Sequence, residues 1–398
     1  MRGNIMKWLV FLLLVGLFVS AIQCGGGESY TAGEAKLGRF SSYEELNKFV
    51  KTSIETYSEQ SGGWLGIVSR GAPEMALNDS SGIFGRDGLI DYSTTNVQVE
   101  GVDEADIVKT DGQFIYVVSG GAVFIVRAFP AQDAQVLSKI VLGDRPEGIF
   151  ISGDKLVVLQ QEWNEADGRY GSEEELSIPD KQPIPAKEPV SEVYIKVYDV
   201  TDRESPALVR EVGFEGWYFG ARMVGDYAYV VISNQVIRYD DEVSLPKILI
   251  GGEVRKIPAT EIYYVDVPDY SYMFTTVVAV NTQDDNVEPV YKTLLLGAST
   301  KLYVSSENIY VTSTVWGHRD SSERTAIHRI HYANGNIDYE ASGEVPGRLL
   351  NQFSMDEYGG FFRVATTTSG TGVMFNVFPV QPENGMSIAD DEDLGKTS

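Results

Sequence analysis

The stretch TDGQFIYVVSGGAVFIV, residues 110–126, decides the predicted fold. Asp111-Gly112 precedes a run of Phe, Ile, Tyr and Val, and Gly120-Gly121 separates that run from a second one. Gly, Asn and Asp tolerate the left-handed backbone of tight hairpins, and β-branched or aromatic residues fit a pleated, half-buried surface. The stretch therefore predicts antiparallel strands joined by short turns.

The same pattern of turn and strand recurs down the chain. Its other copies are Gly153-Asp154 before LVVL, Gly225-Asp226 before YAYVVI, Glu307-Asn308 before IYVT, and Tyr358-Gly359-Gly360 before FFRVATTT. The first residues of the five turns are 42, 72, 82 and 51 positions apart. The two long gaps each contain an insert, at 161–190 and at 234–275. Without these inserts the spacing is near the roughly 40–45 residues of a four-stranded propeller blade. The repeat predicts an all-β protein, a β-propeller of four-stranded antiparallel blades.

Residues 93–368 divide into successive sets of strands. Four sets of four strands begin with ADIVK, GIFIS, ARMV and KLYVS, and a fifth begins with LLNQFSM and FFRVATTT. In the fourth set, Asn334-Gly335 predicts a type I′ hairpin, because this turn needs a left-handed backbone at both positions. We expect four to five blades.

The repeat ends after residue 368. Residues 369–398 have little strand periodicity beyond VMFNVF and finish in the acidic run Asp390–Asp393, which is typical of a solvated tail. Propellers hide their strand edges by closing into a ring, so four blades and a hairpin would leave edges exposed. We therefore expect an incomplete ring, arising from a truncated form or from an unusual closure.

Composition excludes several classes of function. The 398 residues include 57 acidic and 32 basic side chains, a formal charge of −25, which argues against a nucleic-acid partner because such binding needs clustered Lys and Arg. Three His and one Cys leave little material for transition-metal or thiol chemistry. The sequence has no GxSxG, HExxH, Walker-type or CxxC motif. We predict no cofactor, with Ca²⁺ as the alternative considered below.

The N-terminus predicts export. Arg2 and Lys7 precede an uncharged stretch from Trp8 to Ile22. Its length fits the core of a signal peptide, about 7–15 residues, better than a spanning helix of about 17–25 residues. We predict a signal peptide at 1–23 and an extracytoplasmic location, either secreted or anchored at the cell surface. A retained membrane helix is the alternative.

Cys24, the only cysteine, directly follows this core in AIQCGGGES. A lone cysteine at this position resembles the lipobox of prokaryotic lipoproteins, which implies lipid attachment at Cys24 and contact with the membrane through the N-terminus. Gln23 departs from the small residue usual before that cysteine, so an ordinary signal peptide remains the alternative.

Between the signal segment and the blades, composition predicts three parts. Residues 24–41 are typical of a flexible tether. Residues 42–58 predict a helix that starts with a capping box from Ser42 to Glu45. Its apolar face should pack on the propeller, with Leu46, Phe49, Val50, Ile54 and Tyr57 at helical spacing. Residues 59–92 are rich in Gly and Ser and indicate a linker.

Three segments carry a resemblance to a known family. STTNVQVEGVDEADIVKTDGQFIYVV (Ser93–Val118), VYIKVYDVTD from Val193 and QFSMDEYGGFFRVATTT from Gln352 resemble secreted prokaryotic proteins with a β-propeller domain distantly related to WD40 repeats. The resemblance implies an extracytoplasmic propeller of unestablished biochemical activity, and it supplies no catalytic residues. Members typically continue with further blades after the ATTT segment, whereas this chain ends about thirty residues later.

The segment EGVDEADIV contains Glu100, Asp103, Glu104 and Asp106 before the first strand. Clustered loop carboxylates can bind Ca²⁺, but the ligand spacing of an EF-hand loop is absent. We favour a charged loop that fixes the first blade through hydrogen bonds, with a Ca²⁺ site as the alternative.

The second insert concentrates aromatic residues. Its candidate ligand surface consists of Tyr263, Tyr264, Tyr270 and Tyr272, because tyrosine gives a large contact area at low entropic cost. The alternative is an inserted hairpin whose tyrosines pack on the blade. Trp163 and Trp217 pose the same choice between packing and binding.

These features favour a binding or scaffold module for a peptide, glycan or protein partner at the cell surface. Loop residues of a propeller often carry its function, and the inserts can vary without breaking the core. One alternative is an extracellular hydrolase or lyase that uses acidic loop residues near the propeller axis, although no sequence feature pairs two carboxylates. Another is a structural surface protein. We predict no catalytic residues, and we expect a non-enzyme rather than an enzyme.

Overall fold

A computed structural model describes residues 37–60, 97–164, 190–239, 242–265, 272–316, 323–368 and 372–379. Several predicted features lie outside these residues: the predicted signal segment, Cys24, Tyr270, most of the predicted linker, most of the first insert and the acidic run at the C-terminus. The described part contains one helix, α1 (Tyr43–Gln60), and 26 strands.

Most strands form five antiparallel sheets that follow one another along the chain. Sheet 1 consists of β3 (Val108–Thr110), β4 (Phe114–Val118), β5 (Ala122–Arg127) and β6 (Gln135–Val141). Sheet 2 has a core of β7 (Pro146–Ser152), β8 (Lys155–Asn164), β9 (Val190–Asp199) and β10 (Ala207–Glu215). Sheet 3 has a core of β11 (Trp217–Val224), β12 (Tyr227–Gln235), β18 (Met273–Asn281) and β19 (Val290–Leu296). Sheet 4 consists of β20 (Ser299–Val304), β21 (Asn308–Trp316), β22 (Glu323–Ala333) and β23 (Asn336–Pro346), and sheet 5 of β24 (Met355–Tyr358), β25 (Phe361–Thr368) and β26 (Gly372–Pro379).

Seven shorter strands complete the set. They are β1 (Leu37–Arg39), β2 (Asp103–Glu104), β13 (Arg238–Tyr239), β14 (Glu242–Val243), β15 (Lys247–Ile250), β16 (Glu253–Lys256) and β17 (Ile262–Val265). Short 3₁₀ turns are formed by Ala131–Asp133, Ala259–Glu261 and Gln352–Ser354. Sheets 1 to 4 match the four predicted sets of strands.

The predicted turns have the backbone that their residues favour. Gly112, Gly153 and Gly225 have φ of 94°, 57° and 56°. Asn334 and Gly335 have φ of 48° and 83°, as a type I′ hairpin between β22 and β23 requires. The positions of these residues therefore fix the strand register from the sequence.

Hydrophobic clusters lie between consecutive sheets, because both faces of the middle sheets are apolar. In β8, Leu156 and Val158 contribute to the cluster between sheets 1 and 2, whereas Val157 and Leu159 contribute to the one between sheets 2 and 3. Successive side chains of a strand point to opposite faces, so a continuous apolar run indicates burial on both sides.

Each interface between sheets also has a polar link. The links join Arg203 to Asp111 at 3.3 Å, Arg210 to the carbonyl of Asn281 at 3.2 Å, Lys292 to Asp338 at 3.1 Å, and the hydroxyl of Tyr310 to Glu357 at 3.0 Å. Sheets 1 to 5 are thus connected in sequence order by both apolar and polar contacts.

The second insert is folded onto two sheets. Because β12 extends to Gln235 and β18 begins at Met273, the segment between them is slightly shorter than the predicted 234–275. Within it, β15 and β16 extend sheet 2 beyond β10, while β17 pairs in parallel with β19 of sheet 3. Likewise β8 extends to Asn164, so the first insert is bounded by residues 165 and 189.

The predicted helix forms α1, with bounds close to those expected. Ser42 Oγ accepts a hydrogen bond from the amide of Glu45 at 3.2 Å, but the Glu45 carboxylate accepts from the amide of Ser41 at 2.7 Å. Leu46 and Val50 are buried in the core between sheets 2 and 3, with Phe49 packed against it. The side chains of the other two predicted core positions lie outside the described residues.

Three local predictions differ from the structure. Leu37–Arg39, within the predicted tether, pairs with β17 as β1. LLNQFSM forms a 3₁₀ turn before β24 rather than a strand, because Asn351 caps that turn by accepting from the amide of Phe353 at 3.0 Å. The fifth set has three strands rather than two, because VMFNVF pairs with β25 as β26 inside the predicted tail.

The first predicted strand, ADIVK, is also displaced. The acidic pair Asp103–Glu104 forms β2 against β11 of sheet 3, and Asp106 forms a bridge to Ile149 of β7. Because residues 103–106 contact other sheets, the first strand of sheet 1, β3, begins only at Val108.

Candidate functional site

Residues 98–106 contact the first strands of sheets 2 and 3 and the start of sheet 5. Gln98 Nε2 donates hydrogen bonds to two backbone oxygens at the start of sheet 5, at 3.3 and 3.2 Å. Further along, β2 pairs with β11, and the amide of Ile149 in β7 donates to the carbonyl of Asp106 at 2.8 Å. The acidic segment is therefore fixed against several sheets at once.

Two buried cations neutralise the carboxylates of this segment. Lys109 Nζ lies 2.7 Å from Asp103 Oδ1 and donates to the carbonyl of Glu104 at 2.6 Å. Arg222 Nη2 of β11 lies 3.0 Å from Glu104 Oε1. A buried charge is costly unless it is paired, so these contacts fit the interpretation of a charged loop that fixes the first blade.

The other two acidic residues of the segment behave differently. Glu100 is exposed, and Asp106 Oδ1 accepts from the amide of Ile107 at 2.6 Å. Among the described residues, no group of three or more His, Cys, Asp or Glu side chains is placed to bind a metal ion. The Ca²⁺ alternative stays a prediction.

Glu147 and Tyr218 lie at the starts of β7 and β11, beside this segment. Burial raises the pKa of Glu147, and the positive charge of Arg145 opposes the shift. Burial also raises the pKa of the Tyr218 hydroxyl, where Arg222 acts in the opposite direction and the carboxylates of Glu147 and Glu104 add to the rise. The two strand starts therefore combine a half-buried carboxyl with a phenol that stays protonated.

The two tryptophans considered from the sequence meet at the same end of sheets 2 and 3. The rings of Trp163 in β8 and Trp217 in β11 are edge to face, with centroids 4.6 Å apart and planes at 79°. Trp163 is 53% exposed. Tryptophan is one of the residue types enriched at binding surfaces, so the pair is a candidate contact site.

Neighbouring groups hold this pair in position. Gln161 Nε2 donates to Ser191 Oγ at 2.7 Å, and Gln161 Oε1 accepts from the amide of Tyr218 at 3.2 Å. Gly216, directly before Trp217, has φ of 135° and donates to the carbonyl of Ser191 at 2.7 Å. A Cβ atom at Gly216 would lie 2.8 Å from the carbonyl oxygen of Ser233, so only glycine allows this approach.

Two of the predicted ligand-binding tyrosines pack beneath the N-terminal helix. Tyr264 stacks on Phe40 with centroids 4.3 Å apart, and Phe49 of α1 contacts Tyr264 at 4.7 Å and Tyr272 at 5.7 Å. Tyr272 is 5% exposed and its hydroxyl donates to Ser53 Oγ at 3.3 Å. These contacts are those of the packing alternative.

Tyr263 is placed differently, between two cations. Arg39 of β1 lies 5.6 Å from its ring centroid and Lys292 of β19 lies 5.2 Å from it. The ring is half-buried. The structure thus separates Tyr263 from the packed pair, and the candidate ligand surface stays a prediction for this residue and for Tyr270, which lies outside the described residues.

Sequence reasoning missed Glu147 and did not pair the tryptophans. Glu147 follows Pro146 at the start of a strand and has no local motif, and its environment depends on β11, about 70 residues further along the chain. The tryptophan pair could have been indicated by position in the sequence, because Trp163 lies near the end of the second strand of one sheet and Trp217 begins the first strand of the next sheet.

No helix among the described residues is long and apolar enough to cross a membrane.

The chain is similar in sequence to two uncharacterised proteins. The chain is 24% identical over 348 residues to an uncharacterised protein of Archaeoglobus fulgidus, covering 69% of this chain and 52% of that protein. It is 23% identical over 440 residues to the uncharacterised protein MJ1554 of Methanocaldococcus jannaschii, covering 90% of this chain and 63% of that protein. The chain thus spans less than two thirds of the length of these relatives.

Among solved structures, the chain is similar to the N-terminal domain of Nup159, with 10% identity, coverage of 73% of this chain and 78% of that one, and a TM-score of 0.25. The sequence model of the family described as Beta propeller domain matches residues 92–395. This match and the antiparallel sheets confirm the predicted all-β propeller class. The chain belongs to the beta propeller domain family.

Proposed function

We propose that the protein is an extracytoplasmic, membrane-anchored binding or scaffold module for a peptide, glycan or protein partner. The Trp163–Trp217 pair is the observation that carries this proposal. It combines a half-exposed aromatic ring with strands and side chains that are already in place, so binding would cost little ordering entropy. Residues outside the blade cores can vary without loss of the fold, which suits a binding surface.

A binding screen with matched variants tests the proposal. The purified protein, Trp163→Ala and Val254→Ala are screened side by side against glycan and peptide arrays. Val254→Ala is the control, because Val254 is 60% exposed and lies in β16, four strands away from β8 in the order of sheet 2. We expect ligands whose capture is lost in Trp163→Ala and kept in Val254→Ala. Equal capture by all three proteins, or no capture, would contradict the proposed site.

The membrane anchor is a separate proposal that rests on Cys24. Its lone position after an apolar export core supports lipid attachment. In cells expressing the full chain, we expect the protein in the membrane fraction and Cys24→Ser in the soluble fraction. Persistence of Cys24→Ser in the membrane fraction would indicate a retained helix instead.

A hydrolase or lyase is the second candidate, and the carboxyl groups near Tyr218 favour it. Burial raises the pKa of Glu147, whereas Glu104 lies 3.0 Å from Arg222 in an ion pair. Carboxyl groups whose environments differ in this way suit acid and base roles. Turnover of a glycoside substrate that falls at least a hundredfold in Glu147→Gln, with binding retained, would support this candidate over a pure binding module.

A further inference from the structure

The first and last sheets of the described chain each have one exposed apolar face. Among the described residues, sheet 1 packs on sheet 2 through side chains such as Tyr116, and sheet 5 packs on sheet 4 through side chains such as Phe362. The opposite faces carry large apolar side chains in solvent, which are Val108, Val136 and Val141 on sheet 1 and Tyr358, Val373 and Phe375 on sheet 5. Apolar side chains gathered on an exposed face indicate an interaction surface.

Strand register shows that each group forms one continuous face. In sheet 5, Phe375 pairs with Ala365, and in sheet 1, Val136 pairs with Val126. Paired residues share a face, and along each strand they alternate with the buried residues that contact the neighbouring sheet. The exposed groups are therefore two faces, the sheet-1 face of Val108, Val136 and Val141 and the sheet-5 face of Tyr358, Val373 and Phe375.

The two faces have opposite positions in the order of the sheets. The interfaces between sheets 1 to 5 all join a face that points to the next sheet with a face that points back to the preceding one. In β21, for example, Tyr310 packs in the cluster shared with sheet 5, whereas Val311 packs in the cluster shared with sheet 3. The sheet-5 face points forward and the sheet-1 face points back. The chain thus carries both halves of one further interface of the same kind.

The two halves do not cover each other within one chain. Phe375 is 81% exposed and Val141 is 72% exposed, so neither is packed against another sheet of the same molecule. A second copy of the chain, in contrast, offers to each face the type of surface that packs against it elsewhere in the fold. This complementarity selects a second copy as the occupant.

The charges of the two faces permit this contact in an acidic protein. The whole chain carries a formal charge of −25, so two copies repel each other over most of their surface. The strands of sheet 1 contain no Asp or Glu, and Lys139 of β6 lies 5.3 Å from the ring centroid of Phe124. In sheet 5, the carboxylate of Asp356 is paired with Arg363. Like-charge repulsion is therefore weak where the two faces would meet.

We propose that the protein assembles head to tail, with the sheet-5 face of one copy packed on the sheet-1 face of another. The contact continues the series of sheets from one copy into the next. It is heterologous, so it closes into a ring or extends as a filament, depending on the rotation between copies. This inference goes beyond the proposed binding function and does not use the Trp163–Trp217 pair.

Sedimentation velocity of the purified full chain over a concentration series measures the assembly. We expect the sedimentation coefficient of the wild type to rise with concentration. Phe375→Glu and Val141→Glu each place a charge on one of the two faces. Each should weaken association about thirtyfold or more, the loss expected at a central interface position, because a head-to-tail contact needs both faces.

Mixing the two variants distinguishes a head-to-tail contact from a contact between like faces. Phe375→Glu keeps an intact sheet-1 face and Val141→Glu keeps an intact sheet-5 face. An equimolar mixture should therefore form dimers, although neither variant does so alone at the same concentration. The double variant should stay monomeric when it is mixed with either single variant.

Val254→Glu is the matched control, because it adds the same charge at an exposed position outside both faces. It should assemble like the wild type. Circular dichroism checks the folding of every variant, and Val136→Glu and Val373→Glu replace a variant that fails to fold. A wild type that stays monomeric at all concentrations, or association that both face variants leave unchanged, would overturn the proposal. Loss of association in only one face variant, or a mixture that restores no dimer, would also overturn it.

Discussion

The two inserts follow the second strand of neighbouring sheets, yet their aromatic residues have opposite environments. The second insert ends at Tyr272, which is 5% exposed beneath α1. The first insert begins after Trp163, which is 53% exposed and supported by one other ring. Aromatic content alone therefore does not separate a packed insert from a binding surface. The packed aromatic residues of the second insert are instead distinguished by the element that covers them, α1.

The covering element in this case comes from far away in sequence. Phe40 and helix α1 precede the propeller in sequence, and they pack against Tyr264 and Tyr272 more than 200 residues later. Burial of these rings stabilises the fold, whereas exposure of Trp163 makes a surface available. The two regions should therefore respond differently to the same kind of substitution.

The largest expected effect is the loss of the buried ring. Tyr272→Ala should lower the free energy of unfolding by about 3–5 kcal/mol, because it leaves a cavity beneath α1 and removes the contact with Phe49. Denaturant unfolding followed by circular dichroism measures this change. Tyr272→Phe is the control, since it keeps the ring and removes only the hydroxyl that contacts Ser53. A Tyr272→Ala variant as stable as the wild type would show that the Tyr272 ring does not contribute to packing, as expected for an exposed ring such as Trp163.

The fold could be predicted from sequence because its signals are local. Asn334-Gly335 determines a turn by its own backbone preference, and Leu156–Leu159 alternate between two buried faces. The pairing of β17 with β19 gave no such signal, since a parallel contact between short strands depends on the surrounding core. The strand β26 was missed because it lies beside an acidic tail and its Phe375 is 81% exposed.

The candidate site was only partly predictable, because local sequence signals give the residue type but not its surroundings in the folded chain. Both tryptophans and the tyrosines could be named from their residue type, but not sorted into packed and exposed groups. Sorting them requires knowledge of what covers each residue, and α1 covers Tyr264 and Tyr272. Glu147 has ordinary neighbours in sequence, and its raised pKa arises from burial in the folded chain.

A buried titratable group extends the comparison to sheet 4. His328 in β22 is 6% exposed and its Nδ1 lies 3.0 Å from the hydroxyl of Tyr339. Burial lowers the pKa of His328 to about 4, from an ordinary value of 6.5. Between these values the unfolded chain binds a proton that the folded chain does not. Stability should therefore fall as the pH drops from about 6.5 towards 4, by up to about 3 kcal/mol at about 1.4 kcal/mol per pH unit.

Comparison with a variant isolates this contribution from that of the carboxyl groups. His328→Gln keeps a polar side chain that can bond Tyr339 and removes the titration. The loss of unfolding free energy between pH 7 and pH 4.5 should be smaller in His328→Gln than in the wild type. Parallel pH profiles of the two proteins would show that the ring is protonated or exposed in the folded chain.

The smallest expected effect belongs to the exposed ring. Trp163→Ala removes a side chain that is half in solvent, so the free energy of unfolding should fall by less than about 1 kcal/mol, the range of surface substitutions away from caps and networks. The same denaturant unfolding experiment as for Tyr272→Ala checks this value. A loss of stability comparable to that of Tyr272→Ala would mean that Trp163 is a packing residue, as the tyrosines beneath α1 are. A small loss of stability together with a large loss of ligand capture in the array screen would separate the two roles, because only a ligand contact can weaken binding without weakening the fold.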